Sequence, residues 1–160
     1  MRQEEALYLA FPEATVIERK AVFLTDKQIK EIQKLAKSKI ESQIITYYVG
    51  QSSGALMGYA FFETHIVRTM PETFMAVVNP DVTLKFVEML AFHEPEDYLP
   101  SKPWLGLFQG KKLDDGFWVK RGVRNITGAT LTAQAVVDGI RRILAFFEIA
   151  VKKEKGPKSR

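Results

Sequence analysis

Four strand-like runs in close succession between residues 42 and 92 constrain the fold of this chain more than any other feature. β-Branched and aromatic residues are enriched in these runs, as they are in half-buried strands. The runs cover residues 44–49, 56–67, 74–79 and 83–92, and turn signals at residues 52–54, 71 and 79–81 separate them. Because connections this short join antiparallel neighbours, the sequence predicts a mainly antiparallel sheet.

Helical patterns and one more strand precede this stretch. Residues 4–11 predict a short helix that ends at Pro12, and residues 15–24 predict a further strand. Thr25 and Gln28 form a capping-box pattern, which predicts that a second helix begins there. The apolar stripe of this helix is expected to face the core, and its lysines are expected to form a solvated face.

The longest helical pattern lies near the C-terminus. It covers about residues 130–149, with an apolar stripe toward the core and Arg141 and Arg142 on the outside. Before it, residues 104–108 predict a short helix or turn after a proline-rich loop. The sequence therefore predicts an α+β fold, in which a twisted, mainly antiparallel sheet of about four to six strands carries packed helices and a long C-terminal helix.

The net charge of the chain is concentrated in its last residues. The sequence has 23 basic and 19 acidic side chains, but five of the basic and one of the acidic side chains lie in residues 152–160. The remaining 18 basic and 18 acidic side chains make the body neutral, which argues against a broad basic groove for nucleic acid. We therefore expect one domain over residues 1–151 and a basic, disordered tail over residues 152–160.

The residue types argue against several other classes of protein. No apolar run reaches 18 residues, the chain has no cysteine, and its first residues do not form a cleavable export signal. His65 and His93 lie far apart without regular ligand spacing, which is more typical of structural or exposed histidines than of a metal site. Arg68 and Glu72 are expected in a polar turn around Pro71, with no recognisable mechanism.

The residues at the start of the long helix suit a phosphate group. They are small or hydroxylated, so an anion can approach the backbone, and the first N–H groups of a helix have no partner inside it. Taken alone, the pattern is more typical of a simple turn and N-cap. The residues of this candidate site are Thr127, Gly128, Ala129, Thr130, Leu131 and Thr132.

The stretch Thr-Gly-Ala-Thr at residues 127–130 resembles a family signature. It is similar to the Ser/Thr-Gly-Ala-Thr motif of the FMN-binding domain found in the C subunit of the sodium-pumping quinone reductase and the G subunit of the Rnf complex. Supporting landmarks are Tyr47, Tyr48, Gly58, Tyr59, Trp104, Phe108, Gly110 and Lys111, followed by the amphipathic helix after the signature. The resemblance covers most of the chain after Thr25.

The resemblance implies a flavin carrier rather than an enzyme that converts a substrate. In that family a flavin transferase joins FMN through its phosphate to the last threonine of the signature, which is Thr130 here. Membrane redox proteins are the implied electron donors and acceptors, and the implied location is extracytoplasmic, as a mature form without its export signal. Trp104, Phe108 and Tyr59 are candidates to flank the flavin ring, although aromatic residues are commonly core residues.

One position departs from the family pattern. Arg124 stands six residues before Thr130, where the family usually has aspartate. This change could weaken recognition by the transferase, whereas the guanidinium could pair with the phosphate. Two other functions stay open at this point: a flavin-free binding or accessory module in which Thr130 is only a cap, and a noncovalent FMN reductase.

Overall fold

A computed structural model of the chain describes residues 2–67, 70–91, 100, 102–113 and 130–152. In chain order the elements are α1 (Gln3–Ala10), β1 (Val16–Phe23), α2 (Asp26–Ala36), β2 (Ile44–Ser52), β3 (Ala55–Val67), β4 (Met70–Val78), β5 (Leu84–Ala91), α3 (Lys102–Gly106), α4 (Thr130–Phe146) and a π-helical segment (Phe147–Lys152). The strands form one sheet in the order β1-β2-β3-β4-β5, and every neighbouring pair is antiparallel. The predicted α+β fold is confirmed.

The two faces of the sheet carry different helices. On one face α1 packs over a small cluster that includes Ala60, Met75 and Val77. On the other face α2, α3, α4 and the π-helical segment cover the larger core, which contains Phe61, Phe74 and the apolar side of α4. Successive residues of β3 alternate between these two clusters, as the pleat of a strand requires.

Phe11 fixes α1 to the sheet through two glycines. A Cβ atom on Gly50 would lie 2.5 Å from Cγ of the Phe11 ring, and one on Gly58 would lie 2.6 Å from the carbonyl oxygen of Val78. Gly50 and Gly58 face each other across β2 and β3, next to a register shift between Gly50 and Gln51. Gly50 is needed because the Phe11 ring occupies the space that a larger side chain would fill, and Gly58 is needed because the Val78 carbonyl lies there.

The second helix begins where the sequence predicts. Thr25 Oγ1 accepts a hydrogen bond from the Gln28 backbone N–H, and Gln28 Oε1 accepts one from the Thr25 N–H, at 3.1 Å and 2.9 Å. Lys37 ends the helix with φ of 57°. The capping-box prediction is confirmed.

The prediction that Arg141 and Arg142 point to solvent is wrong. Both are half-buried, and both connect α4 to the end of α2. Arg141 Nε donates to the Ala36 carbonyl at 3.0 Å, and Arg142 donates to Ser38 Oγ. The reason is that α2 packs along α4, where its C-terminal carbonyls need donors and attract positive charge.

The prediction of a polar turn around Pro71 is also wrong for Pro71 and Glu72. Both lie in β4, where Pro71 pairs with Ile66 and Glu72 pairs with His65 of β3. The described pairing of β4 with β5 begins only at Thr73, so Pro71 lies in a stretch that is paired on one side. Proline is compatible with such a stretch because no second described strand needs its missing N–H as a hydrogen-bond donor. Arg68 lies outside the described residues.

Candidate functional site

Thr130 is the first described residue of helix α4. The first backbone N–H groups of a helix have no acceptor inside it, and the positive end of the helix dipole lies at its N-terminal end. Only the backbone is described for Thr130, Leu131 and Thr132. Thr127, Gly128, Ala129 and Arg124 lie outside the described residues, as do His93 and the tail from residue 153.

The direction of α4 follows from the residues it meets on the sheet. Near its C-terminal end Phe146 packs on Phe61 of β3, with ring centroids 5.9 Å apart. Further toward its start, Gly139 lies so close to β4 that an added Cβ would be 2.9 Å from Phe74 Cζ. The helix therefore runs from β3 toward β4, and its N-terminus points toward the end of the β3–β4 hairpin where Val67 pairs with Met70.

All three predicted ring neighbours are buried core residues. Tyr59 is 5% exposed, Trp104 is 6% exposed and Phe108 is fully buried. Trp104 meets Phe108 edge to face at 5.0 Å, whereas Tyr59 packs on Phe147 at 4.5 Å. They belong to the same apolar cluster as the buried side of α4.

These aromatic residues lie at different distances along α4. Phe147, the partner of Tyr59, follows Thr130 by 17 residues, which corresponds to about 25 Å along a helix axis. Trp104 and Phe108 belong to the α3 region, which packs beside β5. The turn after Phe108 is bonded to Leu84, which pairs with Val78, and Val78 pairs with Tyr59. The geometry therefore separates Tyr59 from Thr130 and places the turn after Phe108 at the Tyr59 end of the sheet.

A polar cluster continues the sheet face under α4. Along β3 the helix-facing positions change from Tyr59 and Phe61 to Glu63 and His65. Glu63 Oε1 accepts a hydrogen bond from Arg142 Nη2 at 2.9 Å, and both side chains are three-quarters or more buried. This pairing compensates the charge of each partner where α4 crosses β3.

His65 and Glu72 form the second half of the polar cluster. Their side chains meet across β3 and β4, with His65 Nε2 3.3 Å from Glu72 Oε1. Glu72 is fully buried and the His65 side chain is 11% exposed. The other imidazole nitrogen, His65 Nδ1, is buried and has no hydrogen-bond partner among the described residues.

Burial sets the protonation of His65. Desolvation lowers the pKa of the imidazole below its ordinary value, the Glu63 carboxylate acts in the opposite direction, and the Arg142 guanidinium adds to the lowering. The ring is therefore neutral at neutral pH, and its contact with Glu72 is a hydrogen bond rather than an ion pair. A neutral imidazole with one free buried nitrogen can exchange a hydrogen bond with a polar group placed beside it.

A cleft of about 870 Å³ lies next to this cluster, between β2 and β3. Its inner wall is apolar. Charge comes from two basic and two acidic side chains of the lining, which are Lys39, Arg142, Glu41 and Glu63. A volume of this size is within the range of ligand sites. Among the described residues, no cluster of three or more His, Asp or Glu side chains could hold a metal ion.

The comparisons with known proteins support the fold. No protein-family model matches the chain, and no curated protein sequence matches it. Among solved structures, NqrC from Shewanella oneidensis is similar in fold, with a TM-score of 0.61 and 17% sequence identity. The similarity covers 94% of this chain and 87% of that one. Within the described residues, no helix has the length and apolar character needed to cross a bilayer.

Sequence reasoning missed the polar cluster under α4. Glu63, His65 and Glu72 looked unrelated because they fall in two different runs, and Arg142 looked like a solvent-facing residue. A signal was present nonetheless. Glu63 and His65 continue the alternation of Tyr59 and Phe61, so they had to share the helix-facing side of β3.

Proposed function

We propose that this domain carries one FMN, joined through its phosphate to the Thr130 hydroxyl, and passes electrons between redox partners at a membrane. Two observations support the proposal. The residue that matches the modified threonine of the family signature lies at the N-terminal end of the described part of α4. The fold is similar to that of NqrC, whose name corresponds to the C subunit of the same family.

The backbone at the start of α4 suits the phosphate of FMN. The free N–H groups and the dipole of the first turn both favour an anion, and the dipole term alone is worth about 0.3–1 kcal/mol. In this proposal Gly128 and Ala129 allow the phosphate to approach the chain, and Thr127, Leu131 and Thr132 complete the surroundings. Arg124 would offer a forked donor to the phosphate oxygens.

The aromatic side chains of the α3 region are the proposed neighbours of the flavin ring. When bound, FMN supplies one- or two-electron redox chemistry through its isoalloxazine ring. In this proposal Trp104 and Phe108 form the apolar wall nearest to the ring, and their edge-to-face packing keeps that wall rigid. Tyr59 would act from a distance, by fixing the far end of α4 through its contact with Phe147.

A covalent link suits a carrier that works where no free flavin pool exists. A tether keeps the local flavin concentration high without additional binding energy. The proposed location is extracytoplasmic, with membrane redox proteins as donor and acceptor and a flavin transferase as the loading enzyme. The chain itself would bind and orient the flavin, and the redox partners would supply and remove the electrons.

The retained colour of the purified protein tests this function. The domain would be produced in a host that contains the flavin transferase, denatured, desalted and measured for flavin absorbance. We expect the colour to stay with the chain, to be lost in Thr130→Ala and to be kept in Thr132→Ala. Thr130→Ser is the matched variant, because it keeps a hydroxyl at the attachment point.

Each other result favours a different function. Colour that is present before denaturation and lost afterwards would favour noncovalent FMN binding. A colourless protein would favour a flavin-free module, provided that a known flavinylated domain produced in the same host is yellow. Retained colour in Thr130→Ala would contradict the assignment of the attachment residue.

A further inference from the structure

The sheet forks between β2 and β3. The pairing of these two strands ends at Tyr48 and Ala60, although both strands continue beyond that point. On one side, β2 stays paired with β1 as far as Ile44 and Phe23. On the other side, β3 stays paired with β4 as far as Val67 and Met70. The cleft of about 870 Å³ fills the gap between the two diverging strands.

The alternation of backbone hydrogen bonds between neighbouring strands identifies the backbone groups of β3 that point into this cleft. Leu24 N–H donates to the Gln43 carbonyl, so the odd-numbered residues of β2 bond toward β1 and Tyr48 bonds toward β3. Ala60, the partner of Tyr48, must then bond toward β2. By the same alternation, the N–H and C=O groups of Phe62, Thr64 and Ile66 point into the cleft, where no described strand pairs with them.

On the opposite wall of the cleft, the backbone N–H and C=O of Ile44 already have a hydrogen-bond partner. Ser42 Oγ accepts from the Ile44 N–H at 3.1 Å and donates to the Ile44 carbonyl at 3.0 Å. A single hydroxyl thus replaces a neighbouring strand at Ile44. The receptive side of the cleft is therefore the edge of β3, and Ser42 limits pairing on the side of β2.

The edge of β3 also lacks the features that protect natural sheet edges. Such edges commonly carry lysines, prolines or outward charges. The outer strands β1 and β5 carry Arg19, Lys20 and Lys85. The side chains of Phe62, Thr64 and Ile66 are uncharged. The charged side chains that line the cleft balance each other, since Lys39 and Arg142 are matched by Glu41 and Glu63, and Glu63 is held by Arg142.

We propose that this cleft binds an extended, uncharged peptide segment of a partner protein, which adds as a strand to the edge of β3 that pairs with no described strand. Main-chain groups at every second residue match the spacing of another strand rather than that of a small molecule. A folded second copy is a poor occupant because β2 stands across the cleft from this edge. This inference is independent of the flavin.

The walls of the cleft define the side chains of the partner segment. On the α4 side, Ile143 and Phe146 form an apolar wall. On the other face, Ile44 and Ile66 are 50% and 71% exposed beside the cleft. An inserted strand would therefore meet apolar surface on both of its faces, which favours a segment of about five residues rich in Val, Ile and Thr.

The test uses a displayed library of random six-residue peptides, selected on the wild-type chain. We expect enrichment of uncharged peptides with alternating β-branched residues. Hydrogen exchange with the best synthetic peptide should then protect the amides of Phe62, Thr64 and Ile66. Thr64→Pro removes one of these donors and should weaken binding about tenfold or more. Thr64→Val, which keeps the N–H but also loses the hydroxyl bond to Thr73, should bind like the wild type.

A second variant keeps the test decisive if Thr64→Pro does not fold. Ile66→Lys adds a charge on an exposed side chain and should reduce peptide binding by about tenfold, whereas Ile66→Thr should not. The flavin-free variant Thr130→Ala should bind the peptide as well as the wild type. Lack of enrichment, protection of β1 or β5 instead, or protection of the β3 amides by self-association without peptide would each overturn the proposal.

Discussion

At the scale of single residues, His65 has a buried, polar environment that its position in the sequence does not predict. A histidine far from any ligand partner looked merely structural, and the structure places it beside the fully buried Glu72 and beneath the region where α4 crosses the sheet. Because desolvation lowers the pKa of His65, protonation of the imidazole opposes folding.

This pKa shift predicts an acid-dependent loss of stability. The unfolded chain takes up a proton at His65 near pH 6.5, whereas the folded chain resists it. The contribution of His65 to the free energy of unfolding should therefore be constant above about pH 6.5, fall as the pH decreases below that value, and stop falling below the folded pKa of His65. Urea unfolding as a function of pH, together with NMR titration of the two histidines, measures both quantities.

A substitution isolates the contribution of His65. In His65→Gln the part of the acid sensitivity that belongs to this residue should disappear, and the curve of His93→Gln, the matched control, should keep it. A titration midpoint of His65 at or above its ordinary value, or an unchanged pH profile in His65→Gln, would contradict the described burial of His65.

At the scale of elements, the attachment of α1 depends on a ring placed over two glycines. Phe11 lies directly over Gly50, and a Cβ atom there would approach its ring atoms to 2.5–2.7 Å. Gly50→Ala should therefore force Phe11 to move and cost about 1–3 kcal/mol of the free energy of unfolding. Chemical denaturation measures this difference.

A matched glycine provides the control. Gly106 in α3 has nothing within 4 Å of an added Cβ, so Gly106→Ala should be neutral or slightly stabilising. Equal effects of the two substitutions would contradict the described packing of α1. Gly50→Ala combined with Phe11→Leu should recover part of the loss, because the smaller side chain leaves more space.

The elements also indicate which parts of the structure the sequence could predict. The capping box at Thr25, the strand runs and the presence of the last helix rest on local patterns, and the structure agrees with them. The fork between β2 and β3 depends on how far the register continues, and a local pattern does not contain that information. The roles of Arg141 and Arg142 were missed because they depend on which helix lies beside α4.

At the scale of the whole molecule, the sheet, its helices and the fold similarity to NqrC agree with the antiparallel α+β fold expected from the sequence. The candidate flavin site stays a prediction, because the signature residues before Thr130 lie outside the described residues. The path of α4 over the sheet was not contained in a local pattern: Gly139 lies against Phe74, and Phe147, just after the helix, packs on Tyr59.

The most direct measurement of the central claim is the intact mass of the chain, followed by mass mapping of its proteolytic fragments, after production with the flavin transferase. The account predicts the mass of the chain plus one FMN less one water, with the increment confined to the fragment that contains Thr130. An unmodified mass, under conditions in which a known flavinylated domain is loaded, or an increment at another residue, would contradict it.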